Sequence, residues 1–186
     1  MRIISGTLKG KKLLLPKDKT TRPLKDIVKE SIFNVIEHSN KMNVSIIQSN
    51  ILDLYSGSGS FGIEALSRGA KKVTFVENYS MAHKILTSNI SNLNCSENSD
   101  VIKDNCINFL DKIEDKQNLF DLIFLDPPFK DINFNSLIEK ILKKKILKDD
   151  GVIIIHRHKR DNVKFTDNMN ILDQRTYGIS KITFGN

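Results

Sequence analysis

Cysteine is scarce in this chain. Of 186 residues only Cys95 and Cys106 carry thiols, and their separation matches neither a metal-ligand pair nor a redox pair. A disulfide framework and a cysteine metal centre are thereby argued against, and free thiols in a reducing cytoplasm are expected. Long apolar runs are missing as well. No stretch of about 18 apolar residues occurs, so no transmembrane helix is expected, and the N-terminus lacks the apolar region of a signal peptide. There is no internal repeat and no low-complexity segment. His156 and His158 alternate onto one face, yet no third ligand accompanies them, so no metal is expected.

What is present is ordinary in amount and unusual in placement. Hydrophobic residues make up 39% and charged residues 27%, and the length suits one compact domain with a sizeable core. The net charge is +7. Residues 1–29 hold nine Lys/Arg against two Asp/Glu, whereas residues 30–186 hold twenty of each. The whole imbalance lies at the N-terminus, which marks a polyanion-binding surface. Arg2-Ile3-Ile4 and Lys12-Leu13-Leu14-Leu15 flank Gly6 and Gly10 and read as a β-hairpin. Leu24 to His38 reads as a helix, with Ile27, Val28, Ile32, Val35 and Ile36 as its core stripe and Lys25 and Lys29 on its polar side.

From Ile51 onward strands and helices alternate, which argues a doubly wound, mostly parallel α/β sheet. Strands are expected at Ile51–Tyr55, Lys72–Val76, Asp100–Asp104, Phe120–Leu125 and Val152–Ile155. Helices are expected after Gly62, at Met81–Asn92, at Ile107–Ile113 and at Asn135–Leu147, where lysines 143–145 form a solvated face. Ile171–Tyr177 and Ser180–Phe184 read as a terminal antiparallel pair. The boundaries follow as a basic extension over residues 1–45 and a core over 46–186. His156-Arg157-His158-Lys159-Arg160 reads as a basic loop after the fifth strand, either solvated or touching phosphate.

Two segments carry chemistry. Phe120 to Leu125 is an apolar run of strand length that stops at Asp126-Pro127-Pro128-Phe129. Prolines lack the N–H that a central strand needs, so the chain turns where a parallel strand would deliver its carboxyl end to a ligand crevice. A carboxylate, stiff carbonyls and an aromatic face suit a flat base bearing an exocyclic amine. The segment resembles the Asp/Asn-Pro-Pro-Tyr/Phe motif of S-adenosylmethionine-dependent amino-methyltransferases. Upstream, Gly57, Gly59 and Gly62 fit G-x-G-x-x-G between a strand and a helix. Glu77 ends the next strand, twenty residues after Gly57, where it can accept ribose hydroxyls. The pattern alone suits a nicotinamide cofactor or S-adenosylmethionine. Asp53 tips the choice: a carboxylate there would repel a pyrophosphate but can meet a cationic methionyl end, and it resembles the methyltransferase motif Asp-x-Phe/Tyr-x-Gly-x-Gly. Asp104, closing the third strand, either receives the adenine amine, as a residue here does in many methyltransferases, or lies on a surface turn.

The match extends over nearly the whole chain. Arg2-Ile3-Ile4, Gly10-Lys11-Lys12-Leu13, Arg22-Pro23, Asp26, Val28-Lys29-Glu30, Phe33-Asn34, the run from Asp53 to Ala70, Asp126-Pro127-Pro128-Phe129 and Tyr177-Gly178 together resemble the RsmD-type 16S ribosomal RNA guanine-N2 methyltransferases. Ser5 stands where glycine is usual, Leu24 where threonine is usual and Lys29 where arginine is usual, and the loop after the fifth strand is usually acidic. The resemblance implies a Rossmann-like S-adenosylmethionine-dependent methyltransferase fold with a terminal antiparallel strand, extended by the N-terminal hairpin and helix. It implies a cytoplasmic monomer acting on 16S ribosomal RNA, free or within an assembling small subunit. Asp126, Pro127 and Phe129 would be catalytic, and Asp53, Gly57, Gly59, Glu77 and Asp104 would hold S-adenosylmethionine. Arg2, Lys9, Lys11, Lys12, Arg22 and Lys29 would contact RNA. The competing classes are an NAD-dependent oxidoreductase, a noncatalytic RNA-binding protein on the same fold, and a methyltransferase acting on DNA adenine or a protein amine.

Overall fold

A computed structural model describes residues 1–16, 24–113, 120–128, 134–161 and 165–186. Arg22 and Phe129, both expected at the site, lie outside the described residues, as does part of the approach to the first helix.

Five parallel strands form most of a seven-stranded sheet: β1 (Asn50–Leu54), β2 (Lys72–Val76), β3 (Ser99–Ile102), β4 (Phe120–Leu125) and β5 (Leu147–His158). β6 (Ile171–Tyr177) and β7 (Ser180–Gly185) close it, in the order β3-β2-β1-β4-β5-β7-β6, with β7 antiparallel to both of its neighbours. Successive side chains of each central strand turn to opposite faces, and nearly all in the apolar stretches are buried. Ile51, Phe75, Phe124 and Ile154 pack into one apolar cluster, and Leu52, Leu54, Ile123, Leu125 and Ile155 into another. Both sheet faces are therefore covered, as the near-continuous apolar strands require. α1 (Asp26–His38), α2 (Ser60–Ser67) and α3 (Ser80–Asn92) pack against the first face; α4 (Cys106–Lys112) and α5 (Phe134–Lys144) pack against the second. Among the described residues no helix is long and apolar enough to cross a membrane.

The chain leaves β1 for β2 and β3 on one side and returns to β4 on the other. That reversal opens a crevice at the carboxyl ends of β1 and β4. β5 is longer than its apolar run indicated. After the polar Lys148-Asp149-Asp150 it resumes pairing with β4, and it continues through His158 because β7 pairs with it from Ile153 to His158. The supposed basic loop is thus partly strand.

The N-terminal hairpin closes through a single antiparallel bridge, Arg2 with Lys12. Several of its ties to the core come from α2. Glu64 accepts the N–H of Ile4 at 2.8 Å and of Ser5 at 2.9 Å, and Ser67 Oγ donates to the Ser5 carbonyl at 2.5 Å. Gly6 has φ +79° and sits so close that an added Cβ would fall 1.8 Å from the Ser67 carbonyl oxygen, so a side chain there would push the hairpin off. Ile3 and Leu13 join the first core cluster.

Two expectations for α1 need correction. Ile27 is 65% exposed rather than core. Lys29, expected on the polar side as an RNA contact, is fully buried. Its ammonium lies 3.2 Å from the Glu64 carboxylate and donates to the Arg2 carbonyl at 2.8 Å. Desolvation lowers the Lys29 pKa, and Glu64 counters part of that fall. Lys29 serves as an internal tie between hairpin, α1 and α2. Removing Glu64 would strand the buried Lys29 ammonium, at a cost of about 3–5 kcal/mol, whereas Glu64 without Lys29 would keep Arg68 at 3.0 Å.

Candidate active site

The strand-to-helix turn after β1 is shaped by backbone geometry. Tyr55, a non-glycine residue, takes φ +60° as the strand ends, and Gly57 and Gly59 follow at +55° and +84°. Such left-handed positions cost energy and tend to gather at functional loops. The third glycine has a different role. A Cβ on Gly62 would meet the Phe75 ring at 2.3 Å, so only glycine lets α2 pack this closely on β2. Beneath the turn, Phe61 stacks on Phe124 of β4 at 4.0 Å and on Phe33 of α1 at 5.1 Å.

Carboxylates organise the loop. Glu77 accepts the Gly57 N–H at 2.8 Å and the Tyr79 N–H at 2.7 Å. Asp53, buried at the end of β1, accepts the Gly62 N–H at 3.0 Å. Burial pushes the Asp53 carboxyl well above the usual range. The Gly62 N–H offsets part of that rise, and the neighbouring Asp126 and Glu77 carboxylates add to it. Three acids gathered in one partly apolar cavity favour a cationic ligand.

The cavity measures about 400 Å³. Its lining includes Asp53, Gly57, Glu77, Asp126, Pro127 and Pro128, together with Leu15, Pro16 and Leu24 from the N-terminal extension. The structure thus brings Asp53, Gly57, Glu77, Asp126 and Pro127 to one place. The extension closes over this cavity through Asn89 of α3, whose amide donates to the Leu14 carbonyl at 3.1 Å and to the Ser58 carbonyl at 2.9 Å, while its oxygen accepts the Leu14 N–H at 2.8 Å. Nothing in the local pattern around Asn89 marks that role.

Asp104 is elsewhere. Its carboxylate accepts from Lys112 at 2.6 Å and from the Asn105 N–H at 2.8 Å, tying the start of α4 to its end. The Lys112 hydrogen bond holds its carboxyl below the usual range. The next two residues, Asn105 and Cys106, line the cavity in its stead. Asp104 precedes α4 and does not itself line the cavity, so its place beside an adenine amine stays a proposal.

On the other wall, β5 supplies two side chains that the basic sequence pattern places in a loop. His156 and Arg157 are buried. His156 Nδ1 lies 2.8 Å from Asp126 Oδ1, and its Nε2 lies 2.9 Å from Ser180 Oγ. Arg157 donates to the Pro128 carbonyl at 3.0 Å, pairs with Asp161 at 3.1 Å and lies over the Phe134 ring at 4.6 Å. The pleat explains both placements: successive strand residues point to opposite faces. Counting β5 through His158 would have put both side chains beside the turn. On the exposed hairpin, Lys9, Lys11 and Lys12 face solvent, as does Arg2, which approaches Asp26 at 3.8 Å.

Residues 1–186 match the model of the family described as conserved hypothetical protein 95. The chain is 37% identical over 180 residues to a Haemophilus influenzae protein named ribosomal RNA small subunit methyltransferase D, covering 96% of this chain and 90% of that one. A like-named protein of Buchnera aphidicola is 33% identical over 184 residues, with 99% and 89% covered. Among solved structures, a candidate methyltransferase from Escherichia coli superposes with TM-score 0.82 at 26% identity, covering 100% of this chain and 96% of that one. A candidate methylase from Haemophilus influenzae gives 0.77 at 35%, with 99% and 96% covered.

Proposed function

This chain belongs to the conserved hypothetical protein 95 family of ribosomal RNA methyltransferases, and from that premise we propose that it moves a methyl group from S-adenosylmethionine to the exocyclic N2 of a guanine in 16S ribosomal RNA. The observation that carries the reading is the shared cavity, in which Gly57, Glu77 and Asp53 stand together with Asp126 and Pro127. The donor set fits the cofactor. Glu77 would accept the ribose hydroxyls, Asp53 would face the ammonium of the methionyl end, and the apolar lining would take the adenine.

S-adenosylmethionine, when bound, supplies an electrophilic methyl on a sulfonium. The chain's own residues have to present the amine. A guanine N2 is a poor nucleophile because its lone pair is delocalised into the ring. Asp126 and the Pro127 carbonyl accept its two N–H bonds, which favours a pyramidal nitrogen with its lone pair aimed at the methyl; the transfer would leave S-adenosylhomocysteine, and the proton shed by the methylated nitrogen would pass to Asp126 or to solvent. Positioning and electrostatics supply most of the acceleration. Phe129 stacks on the base, a contact worth ~1–3 kcal/mol. The base has to leave its stack to enter the cavity. The exposed lysines of the hairpin and Arg22 hold the phosphate backbone, and the enzyme acts in the cytoplasm as a monomer.

The test is transfer of radiolabelled methyl to ribosomal RNA, naked and in small-subunit particles, with the product nucleoside identified. N2-methylguanosine at one position is the expected result. Label on adenine, on ribose or only on protein would overturn the substrate, and no label on any of them would overturn the activity.

A further inference from the structure

His156 has an unusual setting for a histidine that follows three isoleucines. It is 2% exposed, and both ring nitrogens have partners. Leu125 of β4 is in register with Ile155 of β5, so Asp126 and His156 are the next pair across the sheet. Ile182 of β7 is in register with His156, which places Ser180 two residues off the direct partner and on the same face. The ring therefore bridges three strands, and its position is set by sheet register.

The hydrogen-bond roles follow from the groups. An ionised carboxylate only accepts, so His156 Nδ1 carries the proton that faces Asp126 Oδ1. In the neutral ring Nε2 then accepts the Ser180 hydroxyl. A donor on a buried, strand-borne ring constrains the orientation of the Asp126 carboxylate at the edge of the cavity.

We propose that His156 is a positioning residue for methyl transfer. Through its Nδ1–H it fixes the plane of the Asp126 carboxylate so that the target amine is gripped with its lone pair toward the methyl, and Ser180 holds the ring in the orientation that does this. The inference rests on the reading of Asp126 as the acceptor of the amine. It differs from a role in stability alone, because it predicts a loss confined to turnover and recoverable by a group that restores this N–H.

The experiment compares wild type with His156→Leu, His156→Asn, His156→Gln and Ser180→Ala in methyl transfer to small-subunit particles, alongside calorimetry with S-adenosylhomocysteine. Misplacing a reacting group by about 1 Å costs about 100-fold, so kcat of His156→Leu is expected to fall by about that factor. KM for RNA and the S-adenosylhomocysteine affinity should stay within about twofold of wild type, since uniform binding is untouched. His156→Asn should recover to within about tenfold of wild type, because its amide N–H stands where Nδ1 stood. His156→Gln, whose amide reaches the Nε2 position, should not recover. Ser180→Ala should fall between wild type and His156→Leu. A His156→Leu protein that binds S-adenosylhomocysteine normally and turns over within about threefold of wild type would overturn the proposal. If His156→Leu does not fold, the Asn and Gln variants decide, and equal turnover in those two overturns it. Wild type inactive on every RNA would take down the functional reading and this inference together, whereas an active wild type beside an unimpaired His156→Leu removes this inference alone.

Discussion

On the glycine-loop wall of the cavity, Gly57 is bonded to Glu77 twenty residues on, and Gly62 to Asp53 nine residues back. On the Asp-Pro-Pro wall, Asp126 and Pro128 are held by His156 and Arg157, 30 and 29 residues on, and His156 by Ser180, 24 residues further. The first wall is complete within one strand-loop-helix-strand unit. The second exists only once β5 and β7 have joined the sheet beside β4. The two walls should therefore separate under mutation: damage to the first appears as lost cofactor affinity, and damage to the second as lost turnover with the cofactor still bound.

The sharpest break is Asp126→Ala. Turnover is expected to fall by about 10³-fold, the scale of a lost electrostatic partner at the reacting group, while calorimetry finds S-adenosylhomocysteine affinity nearly unchanged. Loss of both together would mean that the walls act as one. Glu77→Ala tests the opposite wall. Losing a charged hydrogen-bond acceptor costs about 2 kcal/mol, or roughly 30-fold in affinity, and kcat at saturating cofactor should survive. Unchanged binding would remove Glu77 from the site.

Arg157→Met is expected to be milder. It frees the Pro128 carbonyl and removes the cation from the Phe134 ring, lowering thermal stability by about 1–3 kcal/mol and kcat more than KM. A change in cofactor affinity of the same size would blur the comparison. Replacing Lys9, Lys11 and Lys12 by neutral residues should touch neither wall. Counterion release predicts that the slope of log RNA affinity against log salt flattens by roughly 2, and an unchanged slope would leave the hairpin a plain solvated surface.

The smallest effect concerns pH. The Asp53 carboxyl has a raised pKa in the folded protein, so between its ordinary and its raised value the folded state holds the extra proton. Stability from this group is present below the ordinary carboxylate pKa and is lost as pH rises through the folded value. An ammonium ligand favours the ionised form. S-adenosylhomocysteine affinity should therefore strengthen with rising pH across that range, with proton release visible by calorimetry in buffers of different ionisation enthalpy. Asp53→Asn should abolish the dependence.

Much of the sheet was legible in advance. β2, β4 and β6 fall where apolar alternation and turn residues put them, and the other strands are displaced only at their ends. The displaced ends were the informative ones. His-Arg-His-Lys-Arg reads as solvent-facing and so ends the expected β5 at Ile155, yet pairing with β7 carries the strand on and buries two of those residues. Lys29 reads as surface because a helical lysine usually is. The docked hairpin covers it, and no local signal reports a neighbour 35 residues away such as Glu64. Asp104 looked like Glu77 by position, both being acids at strand ends, and differs because Lys112 lies within reach.

Sequence by itself determined the parts whose physics is short-ranged: the glycine turn, the proline stop, the apolar strands, the acids at their ends and the excess charge of the first 29 residues. Tertiary structure alone decided which of those acids share a cavity, which lysine is an internal tie and which histidine stands behind Asp126. Those contacts depend on strand register and helix docking, where displacement by one residue turns every side chain to the opposite face.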